Sequence, residues 1–112
     1  MRGKFDIWLA NLNPARGTEV GKIRPVLILQ SDNLNPFHHS SIICPLSSNP
    51  WKEKLFHLPI KADLIGVEKD SVILLDQLRA LDNQRLIKKL GSLPYEYHSQ
   101  INQSLRIILD LT

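Results

Sequence analysis

Gly17-Thr18-Glu19-Val20-Gly21-Lys22-Ile23-Arg24-Pro25-Val26-Leu27-Ile28-Leu29 changes character halfway along. It opens as a polar loop with a glycine near each end and turns into an unbroken apolar run. Glycine reaches backbone angles that other residues resist, so Gly17 and Gly21 predict a sharply folded loop. Pro25 biases Arg24 towards an extended backbone, and Arg24-Pro25 reads as the mouth of a strand. Val26 to Leu29 is its buried part. A guanidinium at the rim of a core strand is well placed to meet an anion. The ordinary alternative is a surface arginine whose stem packs on the core.

Composition narrows the classes. A chain of 112 residues, 43% of them apolar, suits one domain (residues 1–112) with a real core and argues against disorder. The net charge of +3 permits nucleic-acid binding without requiring it. Only 6% of residues are aromatic, which excludes extensive base-stacking platforms. The single cysteine, Cys44, rules out an internal disulfide and fits a reducing cytoplasm. It sits in Ile42-Ile43-Cys44 and reads as a small buried hydrophobe. No run is long enough to span a bilayer, and the charged start from Met1 to Asp6 is followed by no apolar signal core.

Outward from the opening stretch, Asp6 to Leu12 is a strand ended by Asn13-Pro14. The loop from Asn13 to Lys22 is long, and long ordered loops often carry function. The second strand runs from Arg24 to Gln30, the third from Ser41 to Leu46, closed by Ser47-Ser48-Asn49-Pro50. Trp51 to Lys54 is a charged loop, and Leu55 to Ile60 a strand that Pro59 assigns to an edge. After a polar connection comes a fifth strand, Ser71 to Asp76, with Gln77 to Asp82 as its continuation or a short sixth. Gln84 to Leu90 predicts a short helix stopped by Gly91. Pro94 suits a first helical turn, and Tyr97, Ile101, Leu105, Ile108 and Leu109 recur at helical spacing. Strands without helices between them, then a terminal helix, predict a small, strongly bent sheet or β-barrel of the α+β class.

Familiar chemistries are missing. His38 and His39 are neighbours and cannot both face one ion along a regular element, while His57 and His98 stand alone. There is no phosphate-cradling glycine loop and no nucleophile elbow. What remains is polar residues at strand ends: Thr18 and Glu19 in the first loop, Arg24, Ser47 and Ser48, and Asp76, Gln77 and Arg79. Strand ends can converge on one rim, so one cleft could hold them all. Each also has an ordinary reading: Ser47 and Ser48 as turn residues, Asp76 and Arg79 as an ion pair, Glu19 as a solvated charge.

Longer motifs decide between these. Asp6-Ile7-Trp8-Leu9, Leu12-Asn13-Pro14, Gly17-Thr18-Glu19-Val20-Gly21 and Arg24-Pro25-Val26 resemble the opening of the MazF/PemK family of toxin endoribonucleases. Pro45-Leu46-Ser47-Ser48 resembles the family's next motif, and Lys69 to Arg79 with Asp82 its third; Leu90-Gly91-Ser92-Leu93 is also similar. The likeness covers nearly the whole chain, in order. It implies a Src-homology-3-like barrel of the MazF/PemK/CcdB type with a C-terminal α-helix, forming a homodimer. It implies cofactor-free, metal-independent cleavage of single-stranded RNA at a short sequence, and neutralisation by a small antitoxin whose disordered tail occupies the RNA site.

Residue by residue, Arg24 matches the family's catalytic arginine, and Ser47 the position of its usual catalytic threonine. Serine keeps the hydroxyl and loses the methyl group that restricts the rotamer. Thr18, Glu19, Lys22, Ser48, Asp76 and Gln77 are expected to bind RNA, with Glu19 as candidate base. Phe5 stands where many relatives have glycine, and Leu74 where some plasmid-borne relatives have a basic residue, so their acid–base set does not transfer whole. The groove is expected between the Asn13–Lys22 and Trp51–Lys54 loops, with Arg16, Lys22, Arg24, Lys52 and Lys54 attracting phosphates. Two rivals remain. One is a CcdB-like gyrase poison, although the terminal Trp-Gly-Ile of that type is absent. The other is a non-catalytic RNA-binding barrel.

Overall fold

The computed structural model describes residues 2–19, 21–49 and 56–111. Seven strands form one antiparallel sheet: β1 (Asp6–Asn11), β2 (Ile23–Ile28), β3 (Ser40–Ser47), β4 (His57–Ile60), β5 (Ser71–Leu74), β6 (Arg79–Asp82) and β7 (Leu86–Ser92). The order along the sheet is β4-β5-β3-β2-β1-β7, with β6 also paired to β3. The N-terminal half of β3 pairs β6 (Ser40 opposite Asp82, Ile43 opposite Arg79) and its C-terminal half pairs β5 (Leu46 opposite Ile73, Ser47 opposite Val72). A 3₁₀ turn at Leu75–Gln77 separates β5 from β6, so Gln77 to Asp82 is not a simple continuation. β4 is an edge, as Pro59 indicated.

The apolar run of β2 is unbroken because both of its faces are covered. Leu27 and Leu29 join a cluster with Ile7, Cys44, Leu46 and Ile73. Val26 and Ile28 join a second cluster with Ala10, Leu12, Ile43 and the half-buried Trp8. Removing one such side chain, as in Leu27→Ala, costs about 2–5 kcal/mol. The helix α2 (His98–Ile108) lays Ile101, Leu105 and Ile108 on the first cluster, with Tyr97 just before it. Leu109 lies past the end of the helix and is 48% exposed, so it does not belong to that face.

The helix expected over Gln84 to Leu90 is instead a 3₁₀ turn at Asn83–Arg85 followed by strand β7. β7 pairs with β1, but the register shifts twice: Trp8 faces Lys89 while Ile7 faces Gly91, and Ala10 faces Leu86 while Leu9 faces Lys88. Leu90 and Ile87 are the extra, bulged residues. Bulges break the two-residue alternation, leaving Leu86 and Leu90 half-buried four apart, a spacing that imitates a helix. Gly91 stops nothing. A Cβ there would sit 2.5 Å from the Ile65 carbonyl oxygen, at the end of a short helix, α1 (Ala62–Ile65). α1 follows β4 directly, so this backbone contact bridges the two ends of the sheet, β4 and β7.

Phe5 has φ of 70°. That left-handed backbone costs a non-glycine residue about 1–3 kcal/mol. Burial of the ring and its stacking on His98, 3.7 Å between centroids, offset the cost.

Candidate active-site cleft

In an antiparallel sheet the start of one strand lies beside the end of the next. Val26 faces Pro45, and Ser47 faces Val72. The start of β2, the end of β3 and the start of β5 therefore share one rim. A cleft of about 500 Å³ opens there, and Lys22, Arg24, Ser47 and Ser48 all line it. The same argument explains which residues stay out. Ser71, at the start of β5, lines the cleft, whereas Asp76 and Gln77 lie beyond that strand's far end and do not. Thr18 and Glu19 do not line it either.

Arg24 is held from two sides. Its Nε donates to the Gly21 carbonyl at 2.7 Å and its Nη1 to the Leu46 carbonyl at 3.5 Å. Burial pushes the guanidinium pKa down from its ordinary value. Arginine starts so high that the charge remains. Gly21 does not need a positive φ, contrary to the expectation from the sequence. It is glycine because a Cβ would lie 2.8 Å from the Ala15 Cβ and 3.0 Å from the Asn13 Oδ1. The left-handed residues of this loop are Gly17, at φ 59° as expected, and Lys22, at φ 69°, which is secured by its N–H to Asn13 Oδ1 at 2.7 Å and by its carbonyl, which accepts from the Leu12 N–H at 2.9 Å. A strained lysine beside the catalytic candidate is the kind of feature that marks functional loops.

Ser47 is buried, and its Oγ accepts the Asn49 N–H at 3.3 Å, which leaves its proton to donate. Glu19 is exposed, and its Oε1 accepts the Arg16 N–H at 2.8 Å, closing its own turn. Asp76 pairs with the buried His57, Oδ1 to Nε2 at 3.0 Å, rather than with Arg79. Arg79 has a buried Nη1 with no hydrogen-bond partner among the described residues. Gln77 Nε2 donates to the Thr18 carbonyl at 3.0 Å, tying the first loop to the turn after β5. Leu74 is fully buried, so in this chain that position holds core rather than chemistry. Burial pushes the Cys44 thiol up, as an inert core cysteine requires.

Three charged cleft residues were not expected there from the sequence: Glu68, Lys69 and Lys88. Lys88 was hidden by the helical reading of β7, and the other two by their place in a polar connection. The Trp51–Lys54 loop, with Lys52 and Lys54, lies outside the described residues. Among the described residues no three His, Cys, Asp or Glu side chains group as a metal site, and no helix is long and apolar enough to cross a membrane.

A bent antiparallel sheet bridged by short helices, with a cationic cleft and a buried hydroxyl on one rim, defines a small domain that handles an anionic ligand. Comparison with known proteins makes this particular. Residues 3–109 match the model of the PemK-like, MazF-like toxins of type II toxin–antitoxin systems, and the chain belongs to that family. It is 40% identical over 107 residues to Endoribonuclease EndoA of Bacillus subtilis, across 95% of this chain and 92% of that one. It superposes on MazF of Deinococcus radiodurans with a TM-score of 0.85 at 27% identity, covering 97% of this chain and 96% of that one. The fold also matches a chain in a MazE–MazF structure from the same organism, with a TM-score of 0.79 at 23% identity over 99% of this chain and 97% of that one.

Proposed function

We propose that this toxin cleaves single-stranded RNA, mRNA included, at a short sequence, by attack of the 2′-OH on the adjacent phosphorus. RNA cleavage comes with the family. The finer mechanism rests on one observation: Lys22, Arg24 and Ser47 line a single cleft. A base takes the 2′-OH proton, the 2′-oxygen bonds to phosphorus, and the bond to the 5′-oxygen breaks. The products are a cyclic phosphate and a 5′-OH, whose proton comes from solvent. Arg24 stabilises the phosphorane charge, and Ser47 donates to a phosphate oxygen. Ser48 binds RNA within the cleft, and Thr18, Asp76 and Gln77 would meet it only where the strand extends beyond the cleft's rim.

Two carboxylates compete for the base. Glu19 has the motif position, and Glu68 lines the cleft. Converting the true base to glutamine removes the acid limb of the pH–rate profile, while converting the other leaves it. The reaction needs no metal, so activity persists in a chelator. The protein works in the cytoplasm as a two-fold homodimer, and the acidic, disordered tail of a MazE-like antitoxin competes with RNA for the groove. The decisive experiment incubates purified protein with mixed-sequence RNA and maps new 5′ ends. Fragments with 5′-OH ends that vanish on 2′-deoxy substitution at the scissile step are expected. Normal cutting of the deoxy substrate rejects the mechanism. Binding without fragments favours a passive RNA-binding barrel.

A further inference from the structure

A second cleft, of about 360 Å³, lies against the first and shares Ser47, Ser48, Asn49 and Ser71 with it. Its size suits a small ligand group. Its chemistry is different. The first cleft is lined by four cations, Lys22, Arg24, Lys69 and Lys88, against one carboxylate, Glu68, and by no aromatic ring. The second has Tyr97 as its aromatic lining, with Pro59, Ile60 and Val72 as apolar floor. Its charges, Lys61 and Asp70, pair with each other at 3.5 Å, so it offers little net attraction to a phosphate.

Single-stranded RNA binding commonly combines these two kinds of surface, cationic tracks for phosphates and aromatic faces for bases. We infer that the second cleft is a nucleobase subsite, holding a base next to the scissile phosphate with Tyr97 as the surface it rests on. The inference rests on the nuclease reading and deepens it. A strand crossing the ridge Ser47–Asn49 leaves its phosphate in the first cleft and turns one base into the second. The hydroxyl of Ser48 and the amide of Asn49 then lie beside that base's edge. Tyr97 is pre-positioned. It is half-buried against the core, its N–H donates to the Pro94 carbonyl at 3.0 Å, and the next residue, His98, stacks on Phe5. A ring already fixed loses little entropy when a base settles on it.

The test starts from the mapped cleavage sequence. It uses an oligonucleotide of that sequence made uncleavable by 2′-deoxy substitution at the scissile step, with an abasic site placed at each flanking position in turn. Wild type and Tyr97→Phe lose about tenfold in affinity at one position, and Tyr97→Leu loses almost nothing there. A halogenated base at that position crosslinks to Tyr97 in the wild-type protein, a readout independent of how well Tyr97→Leu folds. Equal losses for all three proteins, or crosslinks that avoid Tyr97, overturn the subsite and leave the nuclease reading standing. A wild-type protein that neither binds nor cuts RNA overturns both.

Discussion

The two clefts that meet at Ser47, Ser48 and Asn49 share a wall and little else. One draws its lining from β2, β3 and β7 and from the connection after α1, and its cations have no ion pair among the described residues. The other is lined from β4, β5 and the turn before α2, and its lysine and aspartate pair. The contrast teaches that position on a strand decides chemistry here. Charge gathers where the ends of β2 and β3 meet, and apolar surface gathers where the edge strand meets the helical turn.

The sharpest way to break the contrast is Arg24→Ala. We expect a 10²–10³-fold loss of cleavage, the size seen when a donor to transition-state charge is removed. Stability should fall by about 1–3 kcal/mol with the fold retained, since two hydrogen bonds at a rim are lost. Cleavage at the wild-type rate shows that the first cleft is not the reaction site. Ser47→Ala comes next. On the shared wall, it should lower kcat about tenfold with RNA affinity unchanged, and Ser47→Thr should match or exceed wild type because the methyl group restricts the hydroxyl. An affinity loss without a kcat loss would move Ser47 from chemistry to binding.

Salt separates the clefts more finely. Lys69→Ala and Lys88→Ala should each reduce the slope of log affinity against log salt by about one, while Lys61→Ala leaves it unchanged. An equal effect from Lys61 erases the difference. The smallest effect concerns Asp70. Its Oδ1 accepts the Ala62 N–H at 2.8 Å, and this bond, then Lys61, lowers its pKa. A lowered carboxylate pKa contributes stability above the unfolded value that disappears as pH falls through the folded one. Wild type should therefore exceed Asp70→Asn slightly in Tm at neutral pH, and the gap should close in acid. A constant gap means that packing, not ionisation, is what Asp70 supplies.

Much of this was legible beforehand, for identifiable reasons. Arg24 and Ser47 stood at the mouths of apolar runs, and both line the cleft. Asp76 and Gln77 were read into the same cleft because they also end a strand, but β5 runs antiparallel to β3 and carries them away from the rim. His57 looked isolated because its partner, Asp76, is nineteen residues off. β7 read as a helix because two bulges spaced its half-buried leucines like a helical face.

By itself, the amino-acid order determined the family motifs, the buried apolar run of β2, the edge strand marked by Pro59 and the apolar face of α2. These depend on neighbours along the chain, through steric limits at proline, alternation and helical period. Tertiary structure alone decided that Gly21 is crowded by the side chains of Ala15 and Asn13 and Gly91 by the Ile65 backbone, that Lys22 takes a left-handed angle, and that Lys88 and Tyr97 line two different clefts. Those outcomes depend on strand register and on contacts between residues far apart in sequence, which no local pattern encodes.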